Sequence, residues 1–411
     1  MEDINNVKEL LSRYNQEHLL MFYNELTETE QQQLLNDIKT VDFEQVTSFK
    51  KLQDKVECAH SIQPANARKQ ENYTEQELEY LRYKGAKIIK DGNYAIVTMA
   101  GGQGTRLGHT GPKGTYKLNL KDKARYIFEI FIDYLKQIKN KYGVFLNWYI
   151  MTSKDNNEQT IDFFIQHNYF DYPKENIKFF MQGELPITDM DGNLLLESKY
   201  KLLKAADGNG GVFNALSNIL PDMKSKGIKW LLITGIDNIL VNLADELYIG
   251  LVDSENKLNG VKSIAKSSPE EKVGVFCKRN GKPSVIEYSE MNDTMLYAKD
   301  DNGNLKYIEA NIVNHLLSID VLEKIQNDKL PIHKAIKKMN YIDINGNEKC
   351  PSQPCLIKYE AFIFDYFNKV DDVTILRVDR KKEFAPVKNK EGQDSPKTAV
   401  ELYNNLYFKE G

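Results

Sequence analysis

The sequence predicts an α/β protein with a mixed, mostly parallel sheet behind an N-terminal helical segment, and three observations carry that prediction. The first 90 residues bear helix-start spellings and helical apolar spacing. From Tyr94 onward, short apolar runs alternate with amphipathic stretches, the pattern of strands and the helices that connect them. The first of these runs, Tyr94-Ala-Ile-Val-Thr-Met99, empties into a glycine-rich loop, Ala100-Gly-Gly-Gln-Gly-Thr-Arg-Leu-Gly108.

Each element follows from local chemistry. Thr27-Glu-Thr-Glu30 and Thr74-Glu-Gln-Glu77 spell capping boxes, in which the threonine hydroxyl and the glutamate satisfy orphan N–H groups at a helix start. After the first, Leu34, Leu35, Ile38 and Val41 recur at helical spacing, and the polar stretch from Pro64 to Arg68 reads as a connection. Strands are expected at 94–99, 145–152, 177–181 and 229–234, with helices at 124–141 and 211–226 between them. Phe128, Phe131, Leu135 and Ile138 form a stripe that should pack on the sheet. Residues 273–288 read as two strands joined at Asn280-Gly281, a pair suited to the positive φ angles of a tight hairpin. Helices are expected again after Glu309, then a strand at 373–378 and a short tail from Ser395. The organisation expected is a helical region over 1–90, a catalytic domain over 91–390 and a tail over 391–411.

Composition narrows the partners. A chain of 411 residues with a formal net charge of −4 favours neither nucleic acid nor an anionic membrane. Four cysteines, Cys58, Cys277, Cys350 and Cys355, lack the two-residue spacing of a zinc knuckle, so reduced thiols in a cytoplasmic protein are expected. The acidic start and the lack of an apolar run approaching ~20 residues argue against a signal peptide or an anchor.

The glycine loop carries the chemistry. Glycines let main-chain N–H groups approach phosphate oxygens, while Arg106 and Lys113 supply charge that amides cannot. Two common phosphate loops are excluded by spelling. The dinucleotide fingerprint fails at Leu107, and the Walker form fails because Pro112 precedes Lys113 and Gly114 follows it.

Gly101-Gly-Gln-Gly-Thr-Arg-Leu-Gly108 with Pro112-Lys113 resembles the signature of the eukaryotic-type UDP-sugar pyrophosphorylases, and its spelling is closest to the UDP-N-acetylhexosamine branch. The resemblance continues in order through Phe179–Gly183, Asp207-Gly-Asn-Gly-Gly211, Gly235–Val241, Lys272–Val275, Val285–Glu290, Asn311–His315, Ile357-Lys358 and Glu383–Asn389. It implies a Rossmann-like nucleotide-diphospho-sugar transferase fold. It also implies a uridylyltransferase that makes UDP-N-acetylglucosamine and pyrophosphate from UTP and N-acetylglucosamine 1-phosphate.

Such a reaction is an in-line displacement at the α-phosphorus of UTP by an oxygen that is already anionic, so it needs alignment and charge neutralisation rather than a general base. By resemblance, Arg106, Lys113 and Lys388 act on the phosphates, and Met99, Ala100, Gly101 and Gly102 pack on uracil and ribose. Gln182 and the Gly208 main chain read the base, and Lys358 lies on the UTP side. Asn209, Gly274, Glu287, Tyr288 and Asn311 form the sugar pocket. Asp237 holds Mg²⁺, a hard cation often bound by only one or two carboxylates. Alternatives are UDP-glucose or UDP-N-acetylgalactosamine synthesis, or an inactive nucleotide-sugar-binding protein; a monomer without nucleic-acid or membrane partners is expected. Asn209 stands where the glucose branch usually has histidine. Met99 replaces a usual leucine, and Thr110-Gly111 stands where an aromatic is common before Pro112.

Overall fold

Every residue of Tyr94-Ala-Ile-Val-Thr is buried, on both faces of the strand, so this segment can only be an interior member of a sheet covered on both sides. The computed structural model describes residues 2–50, 61–326 and 330–408. Ten strands form one sheet: β1 (Ile62–Pro64), β2 (Tyr94–Met99), β3 (Asn147–Thr152), β4 (Ile177–Met181), β5 (Trp230–Gly235), β6 (Asn259–Ala265), β7 (Val275–Arg279), β8 (Lys282–Ile286), β9 (Glu309–Ser318) and β10 (Thr374–Arg377). Four adjacent strands, in the order β5-β2-β3-β4, are parallel. On the other side of β5, β9 runs antiparallel and passes the sheet on to β6 and β7. The sheet is thus mixed around a parallel block, as the sequence predicts.

Two compact units share the chain. One comprises Met1–Ala59, Gly183–Gly211 and Leu330–Ile363; the other comprises His60–Gln182, Val212–Lys329 and Phe364–Gly411 and contains the ten-stranded sheet. In the first, Leu34, Leu35 and Ile38 of the helix Glu28–Lys39 bury against Leu194, Leu196 and Leu202. Both capping boxes form, on Glu28–Lys39 and Glu75–Lys90.

In the second unit the stripe Phe128, Phe131, Leu135 and Ile138 on the helix Ile127–Tyr142 is buried, with Phe131 stacked on Trp148 of β3. The hairpin β7–β8 closes across Arg279 and Lys282, with Asn280 and Gly281 both at positive φ. Helices Glu75–Lys90 and Glu246–Ser254 approach closely through glycines: a Cβ on Gly250 would lie 1.8 Å from the Leu81 carbonyl oxygen. Alanine in a helix interior normally gains up to ~1 kcal/mol over glycine. Here Gly250→Ala is expected to lower the midpoint of urea unfolding, at a cost of roughly 1–3 kcal/mol from overpacking. A raised midpoint would show that the two helices separate freely.

Four expectations need correction. Glu309–Ser318 is a strand, not a return to helix; helix begins only at Ile319. Residues 124–126 are a short strand paired with Lys117–Asn119, and the helix starts at Ile127. The stretch 211–226 is two short helices, Val212–Ser217 and Leu220–Ser225, because Pro221 lacks the N–H needed to continue the first. From Ser395 the chain forms the helix Pro396–Tyr407, with Ser395 as N-cap, Pro396 in its first turn and Ala399 and Tyr403 buried. Cys277, Cys350 and Cys355 are free thiols, while Cys58 lies outside the described residues.

Candidate active site

The glycine loop is built by its main chain. Ala100 N donates to Met151 O at 2.7 Å, and the buried Asn156 Nδ2 donates to Ala100 O at 2.9 Å, so the loop leaves β2 in a fixed direction. Lys113 N donates to Gly102 O and Gly104 N to Gly111 O, closing the loop on itself. Gly108, at φ +72°, makes the turn that a side chain would strain. Arg106 is exposed and Lys113 half-buried, and among the described residues neither has an ion-pair partner. Two cations held on a rigid loop without a carboxylate are available to an anionic ligand.

Gln182 follows β4, and its amide packs over Gly101, where a Cβ would come within 3.0 Å of Cδ, Nε2 and Oε1. Met99, the last residue of β2, is half-buried and passes its carbonyl to Ile236 N. Gly102 has open space where a side chain would stand.

At the end of the neighbouring strand β5, Asp237 and Lys388 meet. Lys388 Nζ lies 3.8 Å from Asp237 Oδ2, and the two loops are laced together by Val387 N to Asp237 O and Ile239 N to Ala385 O. Sequence reasoning missed what holds this pair. Asn238 Oδ1 accepts from Ala385 N and Leu240 N while its Nδ2 donates to Glu383 O. The Glu383 carboxylate in turn meets Lys262, a fully buried lysine on β6 that also pairs with Asp245 at 2.6 Å. Burial opposes charge on Lys262, but the two carboxylates outweigh it and hold its ammonium above the usual range. The signal available was a lone lysine inside the apolar run 260–265.

The antiparallel strand β9 brings further candidates to this edge. Its Asn314 pairs with Thr234 near the end of β5, so Asn311 lies beyond the carboxyl end of that strand. Asn311 N donates to Gly274 O, and Asn311 Oδ1 accepts from Val313 N at 2.9 Å. Val313 sits at φ +55°, costly for a β-branched residue, inside a bulge opposite Lys262. Gly274 packs under Glu287, whose Oε1 would be 2.9 Å from a Cβ there, while Tyr288 is exposed.

The remaining candidates, Gly208, Asn209 and Lys358, belong to the other unit. Gly208 has φ +87°, and a Cβ on it would meet the Ala361 carbonyl oxygen at 2.3 Å, so only glycine fits. Asn209 Oδ1 accepts from Ile363 N at 2.8 Å, which leaves its Nδ2 as the donor. Lys358 Nζ pairs with Glu360 at 2.8 Å rather than standing free.

Among the described residues no three His, Cys, Asp or Glu side chains cluster into a metal cage. Asp237, with its side chain 27% exposed at a strand end, suits the other arrangement, a Mg²⁺ held by one carboxylate with phosphate and water oxygens completing the shell. No helix among the described residues is long and apolar enough to cross a membrane.

Open α/β sheets take their ligands beyond the carboxyl ends of parallel strands, and here the glycine loop and Asp237 stand at the ends of adjacent parallel strands. That places the protein in the class of nucleotide-binding α/β proteins. The chain belongs to the UTP–glucose-1-phosphate uridylyltransferase family, whose model matches residues 29–402. It is 34% identical to the UDP-N-acetylglucosamine pyrophosphorylase of Saccharomyces cerevisiae, over 98% of this chain and 90% of that one. It is 33% identical to the human UDP-N-acetylhexosamine pyrophosphorylase-like protein 1, over 98% and 84%. The uridine diphosphate N-acetylglucosamine pyrophosphorylase of Trypanosoma brucei, solved with an inhibitor, superposes with a TM-score of 0.79 at 28% identity, over 98% of this chain and 84% of that one.

Proposed function

We propose that this protein is a magnesium-dependent uridylyltransferase that forms UDP-N-acetylglucosamine and pyrophosphate from UTP and N-acetylglucosamine 1-phosphate. The observation that carries the reading is the pair of cations Arg106 and Lys113, without ion-pair partners among the described residues, on a hydrogen-bonded glycine loop at the end of β2. The names of the relatives at 33–34% identity over nearly the whole chain support the sugar.

The chain's residues divide the task. Arg106 and Lys113 neutralise the triphosphate and the departing pyrophosphate, and Lys388 aligns the sugar phosphate for attack. Asp237 would hold Mg²⁺, which would supply further neutralisation of phosphate charge. Gln182, through an amide that offers donor and acceptor together, and the Gly208 main chain read the uracil, with Met99, Ala100, Gly101 and Gly102 against base and ribose. Lys358 serves the UTP side. The sugar falls to Asn209 Nδ2, Glu287, Tyr288, Asn311 and the Gly274 main chain. The free thiols support a cytoplasmic setting, and a monomer is the form proposed.

A panel of nucleotides and sugar 1-phosphates, read by pyrophosphate release, tests this. UTP is expected to exceed CTP by about 10- to 100-fold, the cost of one mismatched, desolvated hydrogen bond. N-acetylglucosamine 1-phosphate is expected to exceed glucose 1-phosphate at least ~10-fold in kcat/KM, because the smaller sugar leaves the acetamido contacts unmade. Better use of glucose 1-phosphate would reassign the sugar while leaving the transferase chemistry in place.

A further inference from the structure

Asp207 follows the short strand Lys204–Ala206, one residue before Gly208, and its main chain ties three segments together. Its N–H donates to Gly183 O at 3.1 Å and its carbonyl accepts from Ala361 N at 2.8 Å. The carboxyl is wedged between two glycines: a Cβ on Gly211 would lie 2.0 Å from Oδ1, and one on Gly183 would lie 2.6 Å from Oδ2. The residue is 7% exposed, and Oδ1 has no hydrogen-bond partner. A buried carboxylate oxygen without a partner costs stability, so its presence calls for a role.

The charges around it do not rescue the anion. Lys358 attracts it but is engaged by Glu360 on the same strand, and Glu184 repels it. Lys204, on its own strand, is bound to Asp37 and Thr40. Burial dominates and pushes the carboxyl up to about 7.

We propose that Asp207 is a positioning residue for the nucleotide, whose neutral carboxyl keeps the Gly208-Asn209 turn in register with Gly183, so that binding the nucleotide takes up a proton. The proposal rests on the reading that this turn faces the nucleotide. A bound diphosphate adds negative charge and removes water nearby, and both effects favour the protonated form.

The test is calorimetric binding of UDP-N-acetylglucosamine to the full chain between pH 6 and 8.5, in buffers of different ionisation enthalpy. Its diphosphate diester has no group that titrates in this window. Affinity is expected to fall about 10-fold across the range, equivalent to one pKa unit between free and bound states, with proton uptake near neutrality. Asp207→Asn is expected to bind with no such slope and no uptake. Flat affinity in the unmodified protein overturns the proposal even where the variant does not fold, as does a slope that Asp207→Asn retains. Absence of binding at every pH overturns the functional reading itself, and the proposal with it.

Discussion

Arg106→Ala and Lys113→Ala are each expected to lower turnover by about 100-fold or more, the scale on which loss of one preorganised charge-stabilising group acts. The physical reason is that a phosphoryl displacement asks little else of the protein. The attacking oxygen is already an anion, and the barrier lies in gathering negative charge at one centre. The fold should survive either change. Arg106 and Lys113 have no ion-pair partners among the described residues, and the loop is held by main-chain bonds such as Lys113 N to Gly102 O and Ala100 N to Met151 O. Steady-state turnover measured beside thermal melting separates the two effects. Near-normal turnover in both variants would overturn the assignment of the loop.

Removal of magnesium is expected to abolish turnover, and its return to restore it. Asp237 is the single carboxylate proposed for the metal, so its replacement should be felt in the metal requirement before anything else. In Asp237→Asn the concentration of Mg²⁺ giving half-maximal rate should rise sharply, because a neutral amide is a poorer partner for a small hard cation. The variant keeps the loop in place, since Val387 N binds the Asp237 carbonyl rather than its side chain. An unchanged magnesium titration would move the ligand elsewhere.

The legible parts of this fold were those where one local cause decides the structure. The strand at Tyr94–Met99, the two capping boxes and the Asn280-Gly281 hairpin each follow from a few neighbouring residues, and all four form. β9 was illegible for the opposite reason. Its Asn311, Asn314 and His315 break any period-two pattern, because the strand is bulged at Val313 and buried on both faces. His315 is fully buried, with no partner for either ring nitrogen, and burial pushes it down to about 3, so it packs there as a neutral ring. The C-terminal helix was signalled by Ser395-Pro396 but needs Ala399 and Tyr403 to find the core. At the candidate site, motif resemblance named residues without naming their supports. Asn238, Glu383 and Lys262 act through contacts between segments far apart in sequence, and the lone lysine among Gly260–Ala265 marks one of them without naming its partners.

The discontinuity of the first unit sets a timetable for synthesis. Leu34, Leu35 and Ile38 leave the ribosome early, yet the distant members of their cluster, Leu194, Leu196 and Leu202, follow some 160 positions later, and Leu330–Ile363 later still. At roughly 5–20 residues per second, the first apolar face waits about 8–30 s for its partners. During that interval Val7, Leu11, Phe22 and Phe43 are at hand to cover part of this cluster, and the part that packs on Leu194, Leu196 and Leu202 stays open to a holdase chaperone.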